Sequence, residues 1–181
     1  MPSKLPSLNE SGARVFVFDF GSQYSQLIAR RLRSLGVEAK LVSHTYPLAN
    51  IRYAKGIIFS GGPDSVYEKD AATISKKIFE LNVPILGICY GMQLMAHLLG
   101  GRVQGSAKKE YGPAVLELMQ RSRLFQGLPS SFSVWMSHGD GVAQLPKGFV
   151  RTALSPNSSH AAVEDSRRKL YGIQFHPEVE H

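Results

Sequence analysis

The chain has 181 residues, of which 43% are hydrophobic and 19% are charged, a composition typical of a single globular domain with a sizeable core. Its single cysteine excludes a disulfide framework and a cysteine-based zinc site, and it suits a reducing, cytoplasmic environment. No apolar run approaches the length that crosses a membrane and no signal peptide opens the sequence, so we expect no membrane partner.

The net charge of +7 raises the question of nucleic-acid binding. The basic residues form short, scattered clusters, namely Arg30, Arg31 and Arg33, then Lys108 and Lys109, then Arg167, Arg168 and Lys169. These clusters are not interleaved with the aromatic residues that stack on bases. We therefore interpret them as solvated helix faces and loops, or as a docking face for an acidic partner domain, and expect no nucleic-acid partner.

Residues 1–12 are polar and predict a disordered tail, whereas residues 13–181 predict one domain. The first half of this domain alternates apolar runs with amphipathic segments. The predicted strands are residues 14–20, 37–42, 55–60 and 84–88. The predicted helices lie between the N-cap Ser22 and Gly36, at residues 73–81 and at residues 90–99. This alternation predicts a three-layer α/β fold with a mostly parallel central sheet and helices on both faces.

The second half of the domain has a different pattern. Short strand-like runs occur at residues 102–106, 114–119, 132–136, 149–154, 160–164 and 169–175, and Pro, Gly and Ser separate them. We expect an antiparallel or mixed extension of the sheet, whose last strand brings the end of the chain back beside residue 89.

Cys89 lies where the short strand at residues 84–88 meets the helix at residues 90–99. Gly87 and Gly91 flank it, so G-I-C-Y-G has the form of a nucleophile elbow with sulfur in place of oxygen. A turn this sharp strains the middle residue and brings the flanking positions too close for a Cβ. Because a helix N-terminus favours a thiolate, we interpret Cys89 as a nucleophile and not as a small core residue.

A candidate base lies in the segment G-I-Q-F-H-P-E at residues 172–178. Ile173 and Phe175 alternate as strand residues and lead to His176 and Glu178. An imidazole can accept the thiol proton, and a carboxylate can hold the imidazole in the productive tautomer. The sequence therefore predicts a catalytic set of Cys89, His176 and Glu178.

Five segments together resemble a known family. They are D-F-G-S-Q-Y at residues 19–24, S-G-G-P at 60–63, G-I-C-Y-G-M-Q at 87–93, W-M-S-H-G-D at 135–140 and F-H-P-E at 175–178. The chain resembles the class I, triad-type glutamine amidotransferases over nearly its whole length. Within that family the motifs are most similar to those of the glutaminase domains of GMP synthetases.

The resemblance implies hydrolysis of the side-chain amide of L-glutamine through a thioester on Cys89, with His176 as the base and Glu178 as its orienting partner. It assigns the oxyanion hole to the backbone N–H groups of Gly62 and Tyr90. The substrate-binding residues that it implies are Gly61, Gln93, Ser137 and His138.

The resemblance also implies a partner, because the family uses the ammonia to aminate a second substrate. Here the partner would be an ATP pyrophosphatase domain or subunit that aminates XMP to GMP, and ATP and Mg are expected there, with no cofactor in this chain. Asp140 lies in H-G-D-G at residues 138–141, where two glycines predict a mobile loop, and we expect it to couple the glutaminase to the partner. We expect the family's usual closing helix and any synthetase domain to lie outside these 181 residues.

Three motifs suggest other chemistry. S-G-G-P-D-S at residues 60–65 resembles a pyrophosphate-binding loop, but Pro63 removes an amide donor. D-F-G at residues 19–21 lacks the other kinase motifs. His138, Asp140 and His176 could ligate a metal, yet no metal-binding spacing supports them, so no metal site is predicted.

Two alternative functions stay open. One is the glutaminase component of another amidotransferase, serving anthranilate, CTP or carbamoyl phosphate synthesis. The other is a non-enzymatic regulatory module on the same fold. The segments at residues 19–24 and 135–140 argue against the first, and the intact set of Cys89, His176 and Glu178 argues against the second.

Overall fold

The computed structural model describes residues 14–179, and the tail predicted at residues 1–12 lies outside them. The strands in this range are β1 (Arg14–Asp19), β2 (Glu38–Ser43), β3 (Gly56–Phe59), β4 (Ile85–Ile88), β5 (Arg102–Leu118), β6 (Ser131–Gln144), β7 (Val150–Ser155), β8 (Ser158–Asp165) and β9 (Leu170–Ile173). The α-helices are α1 (Ser25–Ser34) and α2 (Tyr90–Leu98), and short 3-10 helices cover Leu48–Ile51 and Lys76–Leu81. Within the described range, none of the helices has the length and apolar content needed to cross a membrane.

All nine strands form one sheet, in the order β2-β1-β3-β4-β9-β8-β7-β5-β6. The first five strands in this order, β2, β1, β3, β4 and β9, run parallel to one another. The remaining strands, β8, β7, β5 and β6, extend the sheet by antiparallel pairing from β9 onward. The predicted α/β sheet with an antiparallel extension is therefore confirmed.

The two helices lie on opposite faces of the sheet, which gives the predicted three layers. Ile28 of α1 packs in one apolar cluster with Val17 of β1, and Met92 of α2 packs in the other cluster with Phe18 of β1. Successive side chains of a strand point to opposite faces, so β1, whose four central residues are all apolar, supplies both clusters.

The pairing of β4 with β9 brings the two halves of the candidate site together. The strands are parallel, and Ile88 lies opposite Ile173 at the ends of their ladder. The chain therefore leaves the sheet at residue 89 on one strand and at residues 174–176 on its neighbour, at the same edge. Ligand sites of open α/β sheets form at this carboxyl edge.

The helix predicted at residues 73–81 is shorter than expected and is a 3-10 helix, Lys76–Leu81. The Ser75 hydroxyl accepts a hydrogen bond from the Lys77 amide and sets the start, and Asn82 ends the segment in the left-handed conformation. Six residues between two such signals give fewer than two α-helical turns, a length at which 3-10 geometry is common.

The sequence suggested Ser22 as the N-cap of α1, but Ser22 does not occupy that position. Tyr24 occupies that position, and the Ser22 hydroxyl instead accepts a hydrogen bond from the Tyr24 amide at 3.0 Å. The Ser25 hydroxyl donates to the Asp19 carboxylate at 2.7 Å, which ties the start of the helix to the end of β1. The turn between them consequently lies at the carboxyl edge of the sheet.

The runs predicted at residues 102–106 and 114–119 belong to one 17-residue strand, β5, and the predicted mobile loop at residues 138–141 lies inside β6. Gly105 is paired with Asp140 and Glu110 with His138, with an irregularity in register between them. The loop prediction is wrong because His138, Asp140 and Gly141 are paired with β5, and Gly139 lies at the irregularity between these pairs, inside the strand.

Candidate active site

The backbone at Cys89 forms a strained elbow between β4 and α2. Cys89 has φ +53° and ψ −109°, which is unfavourable for a residue with a side chain. A Cβ on Gly87 would lie 2.6 Å from the backbone of Gly91, and one on Gly91 would lie 2.4 Å from the Phe59 carbonyl oxygen. Both flanking positions therefore require glycine, as the sequence predicts.

The Cys89 sulfur lies at the ends of β4 and β9 and beside the middle of β6. The Cys89 amide donates to the Ile173 carbonyl at 2.8 Å, which binds the elbow to β9. The sulfur lies 3.6 Å from the carbonyl oxygen of Ser137 in β6. The side-chain amide of Gln174, just beyond β9, donates to the sulfur at 3.5 Å. The thiol group is thus held by main-chain and side-chain contacts at the carboxyl edge.

His176 and Glu178 form a buried pair beside this sulfur. His176 Nδ1 lies 2.8 Å from Oε1 of Glu178, and the two residues are 5% and 3% exposed. Burial lowers the pKa of His176, but hydrogen bonds with Cys89 and Glu178, together with the negative charge on both, raise it from 6.5 to about 10. The raised pKa favours the imidazolium form of His176 at neutral pH.

A pocket of about 320 Å³ opens onto the sulfur and the imidazole. Its lining consists of Gly21, Ser22, Gln23, Tyr24, Gly62, Pro63, Cys89, Ser137 and His176. These residues follow β1, β3 and β4 or lie in β6 and after β9. The structure thus brings together four of the residues singled out by the sequence, Gly62, Cys89, Ser137 and His176.

The S-G-G-P loop after β3 packs tightly against this pocket. The buried Ser60 hydroxyl accepts from the Phe20 amide at 3.0 Å and fixes the loop. A Cβ on Gly61 would lie 3.2 Å from the His176 ring, and one on Gly62 would lie 2.7 Å from the Phe20 carbonyl oxygen. Glycine lets the loop backbone approach the imidazole closely. On the other side of the sulfur, Tyr90 opens α2, where amide groups lack intrahelical partners.

Gln93 and His138 do not line the pocket. Gln93 is 3% exposed, and its Nε2 donates to the Asp140 carbonyl at 3.0 Å and to Gln174 Oε1 at 3.2 Å. His138 is also buried, with Nδ1 2.8 Å from the Asp140 carbonyl oxygen and Nε2 3.3 Å from the Glu110 carboxylate. Both side chains bind the backbone of β6 at residue 140.

Asp140 links β6 to the segment that follows the S-G-G-P loop. Its carboxylate accepts hydrogen bonds from the Ser65 hydroxyl at 2.5 Å and from the Tyr67 hydroxyl at 3.2 Å. Tyr67 is exposed at the molecular surface. Asp140 therefore joins the surface of the molecule to the same strand whose carbonyl groups contact Gln93 and Cys89.

Sequence reasoning missed three residues around the site. The Tyr24 ring packs edge-on against the His176 ring, with 5.5 Å between the ring centroids. The Gln174 side-chain amide donates to the Cys89 sulfur. The Glu110 carboxylate contacts His138 Nε2. Gln174 carried a signal, since it is a polar residue between two apolar ones at the end of a buried strand. The pairing of Glu110 depends on the register of β5 with β6, which no local pattern reveals.

Among residues 14–179, no group of three or more His, Cys, Asp or Glu side chains is arranged to hold a metal ion. The three candidate ligands, His138, Asp140 and His176, instead take part in the separate hydrogen bonds described above.

A family model described as "Glutamine amidotransferase class-I" matches residues 16–181 of this chain. The GMP synthase [glutamine-hydrolyzing] of Enterococcus faecalis is 54% identical over 170 residues, which are 93% of this chain and 33% of that protein. The Geobacillus kaustophilus enzyme of the same name is 57% identical over 169 residues, 92% of this chain and 33% of that protein. The chain thus spans about a third of the length of the curated relatives it matches.

Solved structures show the same architecture. A putative GMP synthase subunit from Thermoplasma acidophilum superposes with a TM-score of 0.83 at 31% identity, covering 94% of this chain and 86% of that one. A glutamine amidotransferase from Thermotoga maritima superposes with a TM-score of 0.75 at 24% identity, covering 92% and 76% of the two chains. The second likeness concerns the fold alone.

Proposed function

Because the chain belongs to the class I glutamine amidotransferase family, we propose that it hydrolyses the side-chain amide of glutamine and supplies the ammonia to a synthetase. The observation that carries this proposal is the buried His176–Glu178 pair beside the strained Cys89, at a pocket on the carboxyl edge of the sheet. A pocket of about 320 Å³ suits a substrate of amino-acid size.

In the first half of the reaction, the Cys89 thiolate attacks the amide carbon of glutamine. The carbonyl oxygen becomes an oxyanion, and we assign its stabilisation to the backbone N–H groups of Gly62 and Tyr90. Collapse of this intermediate breaks the carbon–nitrogen bond, and the His176 imidazolium gives its proton to the leaving ammonia. The product is a glutamyl thioester on Cys89.

In the second half, the now neutral His176 accepts a proton from water, and the resulting hydroxide attacks the thioester. Glutamate leaves and the thiolate–imidazolium pair returns, so the net reaction consumes one glutamine and one water. Glu178 holds His176 Nδ1–H throughout and stabilises the imidazolium, as its 2.8 Å contact supports.

The α-amino and α-carboxylate groups of glutamine need polar contacts from the pocket wall. We assign these contacts to backbone groups of Gly61 and Ser137, because Ser137 lines the pocket and Gly61 packs against the His176 ring. Gln93 and His138 contribute to substrate binding indirectly, because both side chains hold the β6 backbone at residue 140 in place.

The ammonia acceptor is proposed from the names of the relatives, which are GMP synthases. We infer that an ATP pyrophosphatase domain or subunit, which binds ATP and Mg, aminates XMP with the ammonia released here. Asp140 is the proposed contact through which that partner controls the glutaminase. Its hydrogen bonds to Ser65 and Tyr67 connect the molecular surface with the strand behind Cys89.

The test is glutamate release from glutamine, measured with candidate synthetases and acceptors. We expect glutamine-dependent amination of XMP, and no amination of chorismate, UTP or carboxyphosphate by the corresponding synthetases. Amination of one of these other acceptors would assign the chain to another amidotransferase. Absence of glutamate release under every condition would leave a non-enzymatic regulatory module and would overturn the proposal.

A further inference from the structure

Two buried glutamines form a hydrogen-bonded chain that ends at the Cys89 sulfur. Gln174 Nε2 donates to the sulfur at 3.5 Å, and Gln174 Oε1 accepts from Gln93 Nε2 at 3.2 Å. Gln93 Nε2 also donates to the Asp140 carbonyl at 3.0 Å. Gln174 is 0% exposed and Gln93 is 3% exposed, and neither residue lines the pocket beside Cys89.

The order of donors and acceptors along this chain follows from its far end. The Asp140 carbonyl can only accept, so the end of Gln93 that faces it must be the NH₂ group. That same NH₂ group faces Gln174, whose near atom must therefore be the acceptor Oε1. Gln174 then has to direct its own NH₂ group at the sulfur.

We propose that Gln174 is a positioning residue for the nucleophile, whose side-chain N–H holds the Cys89 sulfur and stabilises its thiolate form, and that Gln93 sets the orientation of Gln174. The inference rests on the proposed function, in which Cys89 is the nucleophile. A hydrogen bond to a charged acceptor is stronger than one to a neutral acceptor, so this contact favours the thiolate over the thiol.

The scaffold makes this donor well placed. The backbone N–H of Cys89 donates a hydrogen bond to the Ile173 carbonyl of β9 at 2.8 Å, and the backbone N–H of Gln174 donates to the Ala161 carbonyl at 2.9 Å. The Cys89 backbone is therefore fixed to the end of β9, and Gln174, which follows that end, is fixed to β8. The titratable group on the other side of the sulfur is His176, with Glu178 and the Tyr24 ring against it.

Gln174→Met tests the proposal, because methionine has a similar length and no N–H group. The measurement is the rate of alkylation of Cys89 by iodoacetamide against pH in the intact protein, followed by mass spectrometry of the peptide that carries Cys89. We expect the midpoint pH of alkylation to rise by about one unit, which corresponds to about tenfold less thiolate below the midpoint.

Two further variants grade the effect. Gln174→Glu should raise the midpoint more than Gln174→Met, since a carboxylate beside the sulfur repels the thiolate. Gln93→Met should raise it less, because Gln174 keeps its NH₂ group and loses only the partner that orients it. Thr152→Val is the matched control: this residue is buried in β7 and is not part of the glutamine chain, so the midpoint should stay at the wild-type value.

An unchanged midpoint in Gln174→Met would overturn the proposal. If Gln174→Met does not unfold cooperatively and is therefore misfolded, Gln93→Met provides the test. An unchanged alkylation midpoint in Gln93→Met would then overturn the proposal. Steady-state kinetics add a second readout, since lost thiolate should lower kcat with little change in KM. A wild-type protein that alkylates normally yet releases no glutamate would contradict the proposed function and leave the role of Gln174 intact.

Discussion

Glu178 contacts the His176 ring through only one of its two carboxylate oxygens. Oε1 lies 2.8 Å from Nδ1, whereas Oε2 is buried and, among the residues described, has no hydrogen-bond partner. A buried carboxylate oxygen without a partner costs free energy. The carboxylate is directed at the imidazole through Oε1.

This relationship predicts an order among substitutions. His176→Ala removes the proton carrier and should lower the glutaminase kcat by about a thousandfold. Glu178→Gln leaves the imidazole in place and removes the charge that stabilises the imidazolium, so it should cost less. Steady-state glutamate release from both variants provides the measurement, with circular dichroism as a control for folding. Equal losses in two well-folded variants would show that the assigned roles are wrong.

The raised pKa of His176 predicts how its titration responds to substitution. In the wild type, the imidazole should keep its proton up to about pH 10. Cys89→Ala removes the sulfur contact that contributes most to raising this pKa, while burial continues to lower it, so the midpoint should move down. Glu178→Gln should also lower it, by a smaller amount. Chemical shifts of the His176 ring protons against pH give these midpoints, and a midpoint unmoved by Cys89→Ala would refute the thiolate–imidazolium pair.

A third prediction concerns the nucleophile. Cys89→Ala should reduce glutamate release to below roughly a thousandth of the wild-type rate, and Cys89→Ser should fail nearly as badly because a hydroxyl is far less acidic than a thiol. In the proposed assembly with a synthetase, amination of the acceptor by added ammonia should survive both changes. Substantial glutaminase turnover in either variant would exclude Cys89 as the attacking group.

The elbow and the parallel strands could be predicted from sequence because each depends on a local pattern. The apolar runs of β1, β3 and β4 are buried on both faces, and the spacing of Gly87 and Gly91 around Cys89 reflects a steric requirement of the turn itself. The pairing of His176 with Glu178 was also predictable, since only one residue separates them.

Features that depend on distant strands could not be predicted in this way. The H-G-D-G segment has two glycines, which locally favour a loop, but pairing with β5 makes it part of β6. The glutamine chain joins residues from α2, β6 and the end of β9. Its existence depends on the order of strands in the sheet, so the resemblance implied only a substrate-binding role for Gln93.

The tight contact of the elbow with β3 predicts a stability difference between two glycines. A Cβ on Gly91 would lie 2.4 Å from the Phe59 carbonyl oxygen, and backbone cannot move aside cheaply. Gly91→Ala should therefore lower the free energy of unfolding by about 3 kcal/mol or more. Gly141→Ala is the control, because a Cβ there meets nothing within 4 Å, and it should change stability by less than about 0.5 kcal/mol. Urea denaturation of both variants gives the values, and equal stabilities would contradict the steric account.

The last prediction concerns coupling through Asp140. Its carboxylate accepts hydrogen bonds from Ser65 and Tyr67, and its carbonyl oxygen accepts from Gln93. Docking of a synthetase against the exposed Tyr67 could therefore act on β6 and on the chain that ends at Cys89. We expect low glutamate release by this chain alone and a rise when the synthetase binds XMP and ATP. A tenfold rise requires about 1.4 kcal/mol of differential binding to the active conformation.

Asp140→Ala removes both hydroxyl contacts and should weaken this stimulation more than it weakens basal turnover. Tyr67→Phe removes one of the two and should produce a smaller change in the same direction, which makes it the graded control. The experiment measures glutamate release by the wild type and both variants, first alone and then with synthetase, XMP and ATP. Hydrolysis at full rate by the isolated wild-type chain, or equal loss of basal and stimulated turnover in Asp140→Ala, would show that Asp140 does not transmit the signal.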